Sequence, residues 1–228
     1  LLMASDWPRS RELDDKEIVD LSGEIYEGMP VYPSHQKTSL FKAKTHAETR
    51  RRYGEGALTT TTLGILLSDH GPTHTDAMHH FDSSDDAETI DEMPLHMFYT
   101  SAVCADVSHI RSSEDYLTED ELRDALEEAD LDPGEGSTVL LYTGHWNRNW
   151  GTDAWLSDYG GLTREATEWL ADQGVVNIGI DAPSVDSSAE MERRENNEDD
   201  HYPSHQVCKE RKVTNTENMI NLDKVAGE

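Results

Sequence analysis

The amino-acid sequence predicts an α/β domain on three observations. Apolar and β-branched runs bounded by Gly, Pro, Asn or Asp recur along the chain and read as about six short strands. Two segments carry helical spacing together with a start or stop signal. The 228 residues show no internal repeat and are ample for one domain with a real core.

In chain order, residues 1–16 are charged and read as a loose arm or surface helix, which leaves 17–228 as the domain. Residues 17–21 alternate apolar with polar and predict a short strand. In Met29-Pro30-Val31-Tyr32-Pro33 the two prolines exclude helix and disfavour a central strand. Tyr32 there either lines a pocket or lies on the surface. His35 and His46 stand in a polar stretch running to Arg52 and read as solvated. Residues 58–67 read as a strand that delivers the chain to His70, and 82–91 as a solvated acidic loop.

Residues 102–107 predict a buried strand. Thr118-Glu119-Asp120-Glu121 has the capping-box pattern and opens a helix to about Glu128. After a turn at Asp132-Pro133-Gly134, residues 137–142 form another apolar strand. Trp146, Trp150, Trp155 and Tyr159 follow among Gly, Asn and Asp, as a pocket wall or as plain loop anchors. Residues 162–173 have helical spacing and stop at Gly174. Residues 175–180 read as a buried strand and 187–200 as an acidic surface insertion; His205 opens a helical or turn segment, and 213–217 is the last strand.

The charge narrows the function. With 47 acidic against 19 basic residues the net charge is -28, the wrong sign for a nucleic-acid partner. Cys104 and Cys208 are too few and too far apart for a disulfide framework or a cysteine zinc site. No stretch approaches the ~20 apolar residues that span a membrane, and the first residues lack the apolar run of a signal peptide. A cytoplasmic protein is expected.

The chemistry concentrates in residues 70–81, His-Gly-Pro-Thr-His-Thr-Asp-Ala-Met-His-His-Phe, where four of the 11 histidines fall. Imidazole nitrogens and a carboxylate are what first-row divalent metals want, and His70, His74, Asp76 and His80 supply them. Gly71-Pro72 excludes a regular helix across the first two histidines. A strand end or loop running into a short turn is expected, so that backbone curvature converges the ligands. A His-rich polar loop without metal is the alternative reading of the spacing.

These twelve residues resemble the signature of the metal-dependent cyclase family, which includes bacterial-type kynurenine formamidase and isatin hydrolase: His-x-Gly-Thr-His-x-Asp-Ala-Pro-x-His-Phe. Further blocks resemble the same family in the same order: Asp20-Leu21 with 28–33, Leu141-Tyr142-Thr143-Gly144, residues 179–186, and His205 with Glu217-Asn218 and 221–224. The likeness spans about residues 17–225. Pro72 and Met78 depart from the signature without altering the ligand spacing. Tyr32 stands where the kynurenine formamidases usually have tryptophan, and Ser34-His35 replaces Gly-Asp, which sets N-formylkynurenine apart as a substrate.

The resemblance implies a swivelling β/β/α fold, a mixed, barrel-like sheet with helices outside. It implies one or two divalent ions, Zn2+ or Mn2+, with His70, His74 and Asp76 holding the first and Asp76, His205 and Glu217 the second. The interval from His205 to Glu217 matches the family's. His80 becomes the general acid/base and His79 a bystander. The implied reaction is metal-assisted hydrolysis of a small amide, an aryl formamide or cyclic amide, with Tyr32, Trp146 and Trp150 as candidates to hold the substrate. Ester or lactone hydrolysis, cyclisation with dehydration, and a catalytically silent binding protein are the alternatives. A homo-oligomer, dimer or tetramer, is also implied. The acidic surface suggests a salt-rich environment, where screening relieves self-repulsion. Thermal melts are then expected to shift upward between low and molar salt; an unchanged midpoint removes that reading.

Overall fold

Three runs of apolar sequence, 102–106, 138–142 and 177–180, and one polar run, 214–217, become the parallel ladder of the central sheet. The computed structural model describes residues 17–196 and 201–228; the arm expected at 1–16 and residues 197–200 lie outside the described residues. Strands β1 (Ser39–Lys44), β2 (Thr62–Leu66), β3 (His74–Thr75), β4 (Ala102–Asp106), β5 (Tyr116–Leu117), β6 (Thr138–Tyr142), β7 (Gly161–Leu162), β8 (Asn177–Ile180) and β9 (Thr214–Glu217) alternate with helices. The helices are α1 (His46–Tyr53), α2 (Met78–Phe81), α3 (Glu119–Glu128), α4 (His145–Asn149), α5 (Arg164–Asp172), α6 (Ala189–Glu195) and α7 (Pro203–Arg211). The main sheet has the order β3-β9-β8-β6-β4. β4, β6, β8 and β9 run parallel, and β3 lies antiparallel on β9. This is the mixed α/β arrangement expected.

Parallel neighbours need crossover connections, and here α3, α5 and α7 supply them. β6 lies inside the sheet between β4 and β8, and its Thr138 to Leu141 are all buried, as a strand covered on both faces requires. Its side chains divide by parity. Val139 and Leu141 join Ile178, Ile180, Leu122, Leu126, Ala166 and Leu170 beneath α3 and α5. Leu140 faces the other way, onto Cys104, Met219 and Leu222. The C-terminal end closes that side: the Gly227 amide donates to the Cys104 carbonyl at 2.8 Å, and the Cys104 amide to Glu228 at 2.9 Å.

β5 and β7 pair in parallel and run straight into two helices with side-chain N-caps, α3 and α5. Thr118 and Glu121 form the predicted capping box of α3, and the Thr163 hydroxyl caps α5 by accepting from the Ala166 amide. Gly174 ends the latter at φ +82°.

Four expectations change. Residues 17–21 form no strand; only Ser22 makes an isolated bridge, to Met219, because no neighbouring strand runs alongside to complete the ladder. The polar stretch around His46 holds α1, closed at its start by a Thr45–Glu48 capping box. Residues 58–67 do yield β2, but it pairs only with β1, and Phe41, Leu63 and Ile65 stay more than half exposed. The described part of 187–200 is not simply a surface insertion: Ser187 and Glu190 are buried. Glu190 accepts from the Tyr116 hydroxyl at 2.6 Å, the Tyr202 amide at 3.0 Å and Arg193 at 3.1 Å, which satisfies a carboxylate out of water. Both cysteines are free buried thiols. Among the described residues no helix is long and apolar enough to cross a membrane.

Leu170→Ala should cost about 2–5 kcal/mol through the cavity it leaves, and Thr118→Ala about 1 kcal/mol through the lost cap. Leu63→Ala on exposed β2 should fall within about 0.5 kcal/mol of the parent. Denaturant midpoints check this order.

Candidate metal centre

The site begins with a register. β3 pairs with β9 over two residues, His74 opposite Glu217 and Thr75 opposite Thr216. Glu217 ends β9, so the early histidine turn meets the late acid at the carboxyl end of a parallel strand. Side-chain bonds lock this pairing. The Thr75 and Thr216 hydroxyls meet at 2.8 Å, and Thr214 donates to the Asp76 carbonyl at 2.5 Å. Thr73 donates to the Asn218 carbonyl at 2.6 Å and accepts from the Gly23 amide at 2.8 Å. The Gly71–Pro72 bond within the turn is cis. As expected, the histidine and aspartate side chains converge through a turn and a strand end; α2 then carries His80 back towards Asp76.

The imidazoles are oriented from behind. His74 Nδ1 lies 3.0 Å from the Pro72 carbonyl, so its proton resides there and Nε2 faces Asp76 at 3.4 Å and Glu217 at 3.6 Å. His205 Nδ1 lies 2.5 Å from Asp186 Oδ2, leaving Nε2 at 3.6 Å from Asp76 and 3.8 Å from Glu217. Asp186 also accepts from the Ser204 amide at 2.7 Å and the His205 amide at 3.0 Å, and so anchors the first turn of α7 as well as the ring. Gly161 makes room for this: a Cβ there would lie 2.7 Å from the Asp186 Cα. His70 Nδ1 faces Asp76 Oδ1 at 3.2 Å and His74 Nε2 at 2.9 Å.

The residues fit a cation. Asp76 Oδ1 is buried with no hydrogen-bond partner, although two imidazole nitrogens point at it. Ligand atoms of His70, Asp76 and His80, and again of His74, Asp76 and Glu217, lie within 4.8 Å of one another. Asp76 is common to both triads, as the resemblance implies, while His80 joins the first and His74 stands with Glu217. His80 Nε2 is 3.9 Å from Asp76 Oδ2, and its ring centre 4.2 Å from that of His70.

The electrostatics follow from crowding two carboxylates and four imidazoles. Burial resists ionisation of Asp76, but the positive charge that the neighbouring His205, His70 and His74 rings can carry outweighs it and holds its pKa well below the ordinary value. Burial and the Asp76 charge push Glu217 up to about 7. Burial opposes a charged His74, yet its contacts with Asp76 and Glu217 prevail and raise it to about 9. His80 goes the other way: burial, with His70 and His205 nearby, lowers its pKa despite the pull of Asp76.

A cavity of about 1170 Å³ opens over these groups, walled by Tyr32, His35, Phe81, Ser184 and Tyr202. His35 is not the solvated residue its surroundings suggest: its ring centre lies 5.2 Å from that of His70, and Nδ1 is 3.4 Å from the Ser68 hydroxyl. Tyr32 is in the wall. Trp146 and Trp150 are not; they stack on each other at 3.8 Å, edge-on to the buried Trp155. Trp146 instead props the histidine turn, pressed on Gly23 so closely that a Cβ there would meet its ring at 3.0 Å and Pro72 at 3.3 Å. Asp186 was missed within the block 179–186, because only the fold carries it to His205.

A divalent ion held by His74 and Glu217 would have to displace their protons, so apparent metal affinity is expected to rise as pH increases through about 7 and again towards 9. Calorimetry in buffers of different ionisation enthalpy reads the protons released.

Known proteins resemble this chain in sequence and in fold. The chain is 28% identical over 186 residues, 80% of its length and 71% of the relative's, to the kynurenine formamidase of Erythrobacter litoralis (strain HTCC2594). It is 31% identical over 163 residues to that of Bordetella petrii, covering 71% of this chain and 66% of the relative. Isatin hydrolase A from Ralstonia solanacearum shares the fold, with a TM-score of 0.76 at 21% identity over 92% of this chain and 81% of that one. The family model described as putative cyclase matches residues 19–187. That stretch contains the whole histidine turn and the Asp186 that orients His205, with His205 and Glu217 themselves joining from beyond it, and the chain belongs to this cyclase family.

Proposed function

We propose that this protein is a metal-dependent hydrolase that cleaves a small amide, an aryl formamide or a cyclic amide. One observation carries the reading: the unpartnered Asp76 Oδ1 lies at the centre of converging imidazoles, beside a half-exposed His80 whose pKa is lowered. The formamidase relatives support the amide class.

His70, His74 and Asp76, with His205 and Glu217 reached through the shared Asp76, would hold one or two divalent ions, Zn2+ or Mn2+. Bound there, the metal supplies positive charge that polarises a carbonyl and acidifies water. The chain's own groups do the rest. Asp186 and the Pro72 carbonyl keep His205 and His74 in the tautomers that present Nε2 to the centre. His80 is neutral near pH 7, so it can take the proton of the attacking water and return it to the departing nitrogen. Its position between the carboxylates and the cavity suits that transfer. Phe81 and Tyr32 give the substrate an aromatic wall, and the cavity has room for an aryl group.

An amine departs only when protonated, whereas an activated phenolate needs no acid. His80→Ala should therefore retain metal and lose about 10²–10⁴-fold in kcat/KM on formanilide, with a much smaller loss on an activated aryl ester. Elemental analysis alongside the kinetics checks both; a variant that loses its metal makes His80 a ligand. Asp76→Ala should strip metal from the centre altogether. Wild-type protein that binds metal but turns over no formamide, lactam or lactone is the silent binder.

A further inference from the structure

One part of the chain is an arm with almost no core of its own. Between residues 39 and 66, which hold β1, α1 and β2, only Thr49 is buried. Among the described residues β1 and β2 pair only with each other, and a lone two-stranded ribbon is marginal in water. Its apolar side chains do not share a face. The register sets Leu40 opposite Ile65 and Lys42 opposite Leu63, while Phe41, on the other face, lies over Gly64, where its ring leaves no room for a Cβ. Apolar surface on both sides of a ribbon that has no core beneath it marks a place where another surface docks.

A second stretch matches the arm. Ten of the thirteen large apolar side chains exposed among the described residues fall in two places, six in the arm and four, Ile90, Leu95, Phe98 and Tyr99, in residues 90–99. Both places stay exposed, so neither covers the other within one chain. Their charges are opposite. Residues 37–68 hold six of the 19 basic residues and two of the 47 acidic ones, whereas residues 82–92 hold six acidic residues and no Lys or Arg. Lys42 and Lys44 on the arm and Asp85 and Asp86 on the other stretch are all exposed.

We propose that residues 39–66 are a docking arm for a second copy of this chain: in a two-fold pair, each arm lies on the 82–99 face of the other protomer. Opposite charge steers the two stretches together, and burial of side chains such as Phe41, Ile65, Leu95 and Tyr99 supplies the free energy. One ribbon is a small surface beside the ~1,600 Å² that a stable complex buries, and a two-fold pair engages it twice. The occupant is a copy and not an anionic membrane, because the chain outside the arm is so acidic that such a surface would repel it. The inference stands apart from the hydrolase reading, since it concerns association alone.

Sedimentation velocity of the full chain at physiological ionic strength, where charges within about 8 Å still act on each other, tests it, with circular dichroism on every variant. Wild type should be a dimer. Ile65→Asp on the arm and Leu95→Asp on the face should each raise the dissociation constant about 30-fold or more. Because the arm adds almost nothing to the core of its own chain, both should keep the wild-type spectrum. Ile18→Asp, at an exposed apolar side chain outside both stretches, should leave the dimer intact. Lys42→Glu with Lys44→Glu, and separately Asp85→Lys with Asp86→Lys, should each weaken association about 10-fold, and all four changes in one chain should restore it. Should either aspartate variant unfold, this charge exchange alone decides. A monomeric wild type overturns the proposal, whether or not it binds phosphatidylserine vesicles. So does a dimer that survives both Ile65→Asp and Leu95→Asp, or a charge reversal that the opposite reversal does not repair.

Discussion

The pairing of β3 with β9, two residues long, is the constraint on which the rest of the site depends. It sets His74 against Glu217 across an antiparallel ladder and so joins segments more than a hundred residues apart. A slip of one residue would turn both side chains to the opposite face. So short a ladder cannot hold itself, and hydroxyls do the holding: Thr73 on the Asn218 carbonyl, Thr75 on Thr216, Thr214 on the Asp76 carbonyl. Threonine suits these places because it favours extended backbone and carries a donor that a valine lacks.

Around that register the protein gathers charge it would otherwise avoid burying. Asp76 and Glu217 are 3% and 4% exposed and share neighbours. An uncompensated buried carboxylate costs several kcal/mol, and here imidazoles at 3.2–3.8 Å supply the compensation. The consequence is a split in protonation: Asp76 stays ionised while Glu217 is pushed up to about 7. A site arranged this way favours an added cation over added protons as pH rises. Asp186 then couples the centre to the scaffold. One carboxylate starts α7 and aims His205, and Thr167 on α5 donates to the Ser204 hydroxyl at 3.0 Å to brace the same turn.

What is polar inside the molecule is therefore organised rather than incidental. Glu190 ties β5, α6 and the start of α7 together through Tyr116, Arg193 and Tyr202. Asp181 is fully enclosed, and burial raises its pKa to about 6 even though Thr143 and the Gly144 amide donate to it. Asp181 sits just past the carboxyl end of parallel strand β8, where the free backbone amides of Thr143 and Gly144 are available to donate to it. The overall excess of acid lies elsewhere, on the exposed faces.

The residues by themselves determined the parts whose signals are local. Capping at Thr118, the stop at Gly174 and the apolar runs of β4, β6 and β8 are visible because helix starts, helix ends and doubly buried strands each have a short-range pattern. The signature at 70–81 likewise names its metal chemistry through residue types at fixed intervals. α1 escaped because HAETRRRY has no apolar stripe, although its Thr45–Glu48 box was there to read. The alternation at 17–21 misled because a strand is completed by its neighbour, and none runs beside it. Only the tertiary structure decided that Asp186 aims His205, that Glu190 is buried, that His35 borders the cavity and that Trp146 is pressed on Gly23 instead of lining the cavity. Each of those facts is a contact between segments distant in the chain, and the energy of such a contact depends on geometry that no single stretch of sequence contains.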